Sequence, residues 1–205
     1  MINSMIIRLL LVISSVLLAG CSAAPPVPTN SFYRLDIAAP GKRLAAPLLD
    51  GTLSVQVGAA IPLYRDRALL HSDAGAVTTL QRYHYHYWVD TPPHLLQVEF
   101  ADYLRDAGIA DVVVMPEDSV DTVYRLRLDI DHFEHLRGPG GGTVRVGLRV
   151  LLTERSSGKL LLQDRLEAEA QVRGDDFPQL ALSYQQAVSD IGERIVELLR
   201  AVRIQ

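Results

Sequence analysis

Tyr124-Arg125-Leu126-Arg127-Leu128-Asp129-Ile130-Asp131 alternates apolar and charged residues without a break. Side chains of a strand point to opposite faces in turn, so this is a strand with one dry face and one wet face. The pattern repeats downstream. Val144, Val146, Leu148, Val150 and Leu152 alternate with Arg145, Gly147, Arg149 and Leu151. Beyond a Ser156-Ser157-Gly158 turn, Leu160, Leu162, Leu166, Ala168 and Ala170 share a face, opposite Gln163, Arg165, Glu167 and Glu169. Strands buried on both sides would be apolar throughout, so the stretch predicts an antiparallel meander. His132-Phe133 breaks the phase and marks a bulge or a strand end.

The residues around it supply the rest of the sheet and its cover. Short strands are expected at Phe32 to Asp36, Thr52 to Val57, Val77 to Val89 and Val112 to Met115. Thr91 before Pro92 opens a helix, whose Leu96, Phe100, Tyr103, Leu104 and Ala107 lie on one face and which Gly108 ends. A second helix is capped by Asp175 or Asp176, with Pro178 in its first turn. Leu180, Tyr184, Ala187, Val188, Ile191, Ile195, Leu198, Leu199 and Val202 then follow steps of three and four. Two amphipathic helices on one face of a mixed, mostly antiparallel sheet make an α+β two-layer sandwich.

The N-terminal residues address the chain. Arg8 is the one charge in the first twenty residues, and residues 9–18 form an apolar run broken only by Ser14 and Ser15. A bilayer core needs about twenty apolar residues to span, so this run fits the apolar part of a secretory signal instead. Leu18-Ala19-Gly20-Cys21 is a bacterial lipobox, which predicts cleavage before Cys21 and acylation of its thiol with diacylglycerol and palmitate-type chains. Two or three acyl chains make such an anchor stable where one does not. Ser22, in place of the aspartate that favours inner-membrane retention, points to the outer membrane and its periplasmic face. Residues 1–20 are then signal peptide and 21–31 a Pro- and Ala-rich tether, extended at ~3.1 Å per residue. A single folded domain is expected over 32–205.

Removing residues 1–20, with Arg8 alone among the charges, leaves 19 basic and 24 acidic residues and a net charge of −5. Such a balance gives no basic stripe for nucleic acid. Cys21 is the only cysteine, so the chain has no disulfide, zinc knuckle or second thiol. There is no Gly-x-Ser-x-Gly elbow, His-Glu-x-x-His or phosphate loop, and no cofactor is implied. Gly138-Pro139-Gly140-Gly141-Gly142 lies between two strands and reads as a mobile hairpin loop, one that could adapt to a partner. Asp129, Asp131, His132, Glu134 and His135 cluster near it. Charge pairing with Arg125 and Arg127 across the wet face accounts for the aspartates.

Arg82-Tyr83-His84-Tyr85-His86-Tyr87-Trp88 is the most unusual segment. Alternation places His84 and His86 with Trp88, and Tyr83, Tyr85 and Tyr87 on the other face. Two histidines at this spacing could ligate zinc with His94 or an acidic residue, but no third ligand stands at a recognisable spacing. Aromatic rings with polar tips favour a contact edge instead.

Taken in order, these pieces resemble the ABC-type transport auxiliary lipoproteins, the PqiC/YmbA-like family. The matching residues are the lipobox at Cys21, Phe32-Tyr33-Arg34-Leu35, Val55-Gln56-Val57 leading to Pro62-Leu63-Tyr64-Arg65-Asp66-Arg67, and Tyr87-Trp88-Val89. Residues 92–104 as a helix and Leu126 to Phe133 complete the likeness, whereas the His/Tyr enrichment before Trp88 departs from it. The resemblance implies a non-enzymatic lipoprotein working with an inner-membrane permease and ATPase and a periplasm-bridging MCE protein. The cargo would be lipid or another hydrophobic solute, and the lipoprotein would form the outer-membrane end. Partner contacts are expected at Tyr64, Arg65, Asp66, Arg67, Tyr83, Tyr85, Tyr87 and Trp88. The other readings are a structural or assembly envelope lipoprotein with an unrelated partner, and a metallohydrolase using the histidines.

Overall fold

The computed structural model describes residues 28–202 apart from Ala74 and Asp175. The expected signal peptide and Cys21 lie outside the described residues, as does Asp175, one of the two expected caps. Eight strands are present among the described residues: β1 (Ser31–Tyr33), β2 (Leu49–Val57), β3 (Ala68–Asp73), β4 (Ala76–Trp88), β5 (Ala110–Val114), β6 (Tyr124–Arg137), β7 (Thr143–Glu154) and β8 (Leu160–Gln171). Two helices accompany them, α1 (Pro92–Ala107) between β4 and β5 and α2 (Phe177–Ala201) after β8.

β6 is the spine of the sheet. Its whole length pairs antiparallel with β7, from Tyr124 opposite Glu154 to Leu136 opposite Thr143, and β7 pairs antiparallel with β8. This is the expected meander. The register shift between Ile130 and His132 is the expected bulge, which turns Phe133 back into the core.

The other edge of β6 is divided. Its first half takes β2 in parallel, Leu53–Val57 against Tyr124–Leu128, and its end takes β3 in parallel, His71–Asp73 against His135–Arg137. β5 extends the β2 branch, and β4 followed by β1 extends the β3 branch. Between the branches the chain stays close along the same edge of β6, where the Gly58 N–H donates to the Leu128 carbonyl and the Ile130 N–H to that of Ala59, both at 2.8 Å. A Cβ on Gly58 would stand 2.6 Å from Asp129 Oδ1 and closer still to Arg127 Nε, so the close approach leaves no room for a side chain beside this ion pair. It also buries Asp129 on the nominally wet face. Burial alone would raise the Asp129 carboxyl's pKa, but hydrogen bonds from Arg127 and Ala59 and the nearby Arg149 outweigh it and hold it below the ordinary value.

Both helices cover one face. α1 lies on β2 and β5 and α2 on β7 and β8. The expected stripe of α1 is buried in full, and that of α2 is buried except for half-exposed Leu198 and Val202. The helices meet where a Cβ on Gly192 would stand 3.1 Å from the Tyr103 ring. Gly108 ends α1 at φ 70°, in the left-handed region. Asp176 caps α2 by accepting from the Gln179 N–H at 2.7 Å.

Two expectations require correction. Leu160 is 47 % exposed, because the β7–β8 register shifts beside Thr153 and turns it out of the face it was expected to share. The glycine segment is fastened rather than loose. The Val172 N–H donates to the Gly142 carbonyl at 2.9 Å, and His135 Nε2 donates to that of Gly141 at 2.6 Å.

Candidate functional site

The aromatic segment of β4 is reshaped by a large bulge. Ala68 faces Tyr87 and Leu70 faces Arg82, so two steps on β3 span five on β4. Tyr85 sits at the crest with φ 66° and 41 % exposure. Strict alternation therefore fails, and Tyr83, His86 and Trp88 all turn toward α2. Tyr83 meets the Phe177 ring edge-on, with centroids 4.8 Å apart, and His86 stacks on that ring at 3.4 Å. Trp88 is fully buried against Tyr184 and Phe133. His84 is exposed, so the two histidines do not share a setting, while His94 pairs with Asp90 at 2.9 Å. Among the described residues no group of three or more His, Cys, Asp or Glu side chains could hold a metal ion.

Tyr83 leads into a cleft of about 510 Å³, set between the ends of β3 and β6, the glycine segment and the start of α2. Its hydroxyl lies 2.7 Å from Nδ1 of His135, whose Nε2 faces the Gly141 carbonyl. A carbonyl oxygen can only accept, so Nε2 carries the hydrogen and Nδ1 accepts from Tyr83. Both ring nitrogens are thereby occupied, and the imidazole positions the segment with no lone pair left for the cleft. Burial lowers the His135 pKa, the Gly141 hydrogen bond opposes this, and Arg137 lowers it further. Burial raises the Tyr83 pKa to about 12, keeping its hydroxyl a donor. At the mouth Arg137 grips Asp73 with Nε at 2.8 Å and Nη2 at 2.6 Å.

The opposite side of β4 carries a separate patch. Phe32, 52 % exposed on β1, packs against the Tyr87 ring at 5.8 Å, and the Arg67 guanidinium lies over Phe32 at 5.8 Å. Asp66 pairs with Arg82 at 3.0 Å, and Arg65 is exposed. Two expected contact residues are not on this surface. Tyr64 and Trp88 are 2 % and 1 % exposed, because the apolar core needs their rings and Tyr64 donates to buried Glu134 at 3.1 Å. Of the expected set, Asp66, Arg67 and Tyr87 make these contacts, Arg65 and Tyr85 are exposed, and Tyr83 belongs to the cleft.

Sequence reasoning missed Phe177, Arg137 and Phe32 as site residues. Phe177 precedes the periodic stripe of α2, so the three-four pattern does not single it out. Its one signal is an apolar residue wedged between a capping Asp176 and Pro178.

A family model described as "ABC-type transport auxiliary lipoprotein component" matches residues 33–196. No curated protein matches the chain in sequence. A crystal structure of a Xanthomonas campestris protein is similar at TM-score 0.72 and 17 % identity, over 83 % of this chain and 95 % of that one. An uncharacterized protein of known structure is similar at TM-score 0.65 and 15 % identity, over 83 % of this chain and 98 % of that one. At these identities the likeness is one of fold.

Proposed function

Since the chain belongs to the ABC-type transport auxiliary lipoprotein family, we propose that it is the lipid-anchored, periplasm-facing component of an MCE/ABC-type intermembrane transport system. It docks the periplasm-spanning MCE protein at the outer membrane, where lipid or another hydrophobic solute is handed over, and it performs no chemistry itself. The observation that carries this reading is the extent of the family match, which takes in nearly the whole sandwich. The lipobox at Cys21 and the Pro- and Ala-rich residues after it supply the anchor and tether of this reading, and Ser22 supports the outer membrane as its location. The docking surface is the β4 edge with Arg65, Asp66, Arg67, Tyr85 and Tyr87. Aromatic rings beside arginines are enriched where proteins bind one another.

Crosslinking the lipidated protein in membranes, followed by capture and mass spectrometry, tests the reading. Recovery of an MCE protein with its permease is the expected result. Recovery of only cell-wall or outer-membrane scaffold proteins would overturn it in favour of a structural lipoprotein.

A further inference from the structure

The docking role makes no use of the cleft between the glycine segment and the start of α2, yet that cleft is well formed. Its volume of about 510 Å³ falls within the roughly 300–1,000 Å³ usual for small-molecule sites. Val172, Tyr83, Phe177 and Leu180 give it aromatic and aliphatic lining. It cannot readily collapse. Gly141 and Gly142 hold positive φ values of 105° and 80°. Their carbonyls are tied to His135 and to the Val172 N–H.

The charge at the mouth selects among ligands. The lining residues bear one guanidinium, Arg137, and two carboxylates, Asp73 and Asp176. Arg137 is held by Asp73 through two nitrogens, which leaves Asp176 as the charge in excess. One oxygen of Asp176 caps α2 through the Gln179 N–H. A free carboxylate or phosphate monoester would meet net repulsion from these side chains, and Asp176 already occupies the anion-favouring start of α2. An ammonium group meets a carboxylate together with the Tyr83 and Phe177 rings, and aromatic rings attract cations.

We propose that this cleft binds a single-chain amphiphile whose polar end carries an amine. The chain lies along Phe177, Leu180 and Val172, and the amine sits at Asp176. The amine can belong to a phosphoethanolamine headgroup or to a simple alkylamine, the recognised chemistry being the same.

The test uses the full-length lipoprotein in phosphatidylcholine vesicles, with two diazirine-bearing dodecyl probes, an amine and a carboxylic acid. After photolysis, labelled positions are mapped by mass spectrometry. The amine probe is expected to label the segment from Val172 to Leu180 in preference to the acid. Asp176→Asn keeps an equally good helix cap while removing the charge. It should cut amine labelling roughly fivefold, the scale of one exposed charge pair, and leave acid labelling no lower. Competition by lysophosphatidylethanolamine assigns a phospholipid source, and amine labelling that resists it assigns a simple alkylamine. Equal labelling by the two probes, labelling centred elsewhere, or amine labelling unchanged in Asp176→Asn would overturn the proposal. These readouts come from this chain alone, so they stand apart from whether an MCE protein is captured.

Discussion

The Tyr83 hydroxyl donates to Nδ1 of His135 at 2.7 Å, and the same imidazole donates from Nε2 to the Gly141 carbonyl at 2.6 Å. One neutral side chain therefore joins the bulged strand β4 to the turn between β6 and β7. His71 stands beside it, its ring centroid 4.4 Å from that of Tyr83, with Arg137 and Asp73 nearby.

Acid should loosen this junction. His71, His86 and His135 all have pKa values below the ordinary 6.5, each chiefly through burial. The unfolded chain then binds more protons than the folded one just below pH 6.5, so stability falls as pH falls. The contribution is present above about pH 6.5 and is lost as pH drops through the depressed folded values. Urea midpoints measured from pH 7.5 to 5 should decline, and the decline should be shallower in His135→Gln. A flat profile would remove the coupling. Asp129, whose pKa is depressed below 3.8, acts in a lower window and does not confuse the result.

The glycine turn separates two kinds of strain. Gly142 has φ 80° and ψ −155°, a region open in practice only to glycine. A Cβ there would stand 2.1 Å from the Leu136 carbonyl oxygen. Gly140 has φ 75° and ψ 17° with nothing within 4 Å of its Cβ position. Gly140→Ala should cost ~1–2 kcal/mol, the ordinary left-handed penalty. Gly142→Ala should cost more than about 3 kcal/mol or prevent folding, since strain and a backbone clash combine. Chemical denaturation of the two variants checks the contrast, which equal costs would contradict.

Tyr184 offers a test of a different sign. Its ring is fully buried between Trp88 and Phe133, and its hydroxyl has no hydrogen-bond partner among the described residues. Leaving such a group unpaired carries a desolvation penalty of ~1–3 kcal/mol. Tyr184→Phe should therefore be neutral or stabilising in thermal unfolding. A clear loss of stability would mean that the hydroxyl is paired in solution.

The β4 edge can be probed without disturbing the core. Arg67→Ala and Tyr85→Ala remove exposed side chains and should change stability by no more than about 0.5 kcal/mol. If this edge docks the partner, both should reduce its recovery in the crosslinking experiment. Trp88→Ala should instead cost ~3–5 kcal/mol through the cavity it leaves. Full recovery with Arg67→Ala and Tyr85→Ala combined would move the docking surface elsewhere.

Local order was legible in the residues themselves. The alternation of Tyr124 to Ile130 and of Val144 to Leu152 marked the paired strands β6 and β7, and the break at His132 marked their bulge, because pleating fixes a period of two. The steps from Leu96 to Ala107 and from Leu180 to Leu199 identified the helices, whose turn of 3.6 residues is as local.

By itself, then, the sequence determined the layers of the sandwich and the wet and dry faces of its meander. Tertiary structure alone decided that β2 and β3 share one edge of β6, since any apolar strand could have paired there. It also decided that β4 bulges at Tyr85, which turned Tyr83 to the helix side and buried Trp88. The cleft exists only because Tyr83 and His135, 52 residues apart, meet beside a glycine turn and the cap of α2. Periodicity reports how a residue faces its own strand or helix. It carries no information about which distant segment arrives to cover that face, and both the cleft and the aromatic patch of this protein are made by those arrivals.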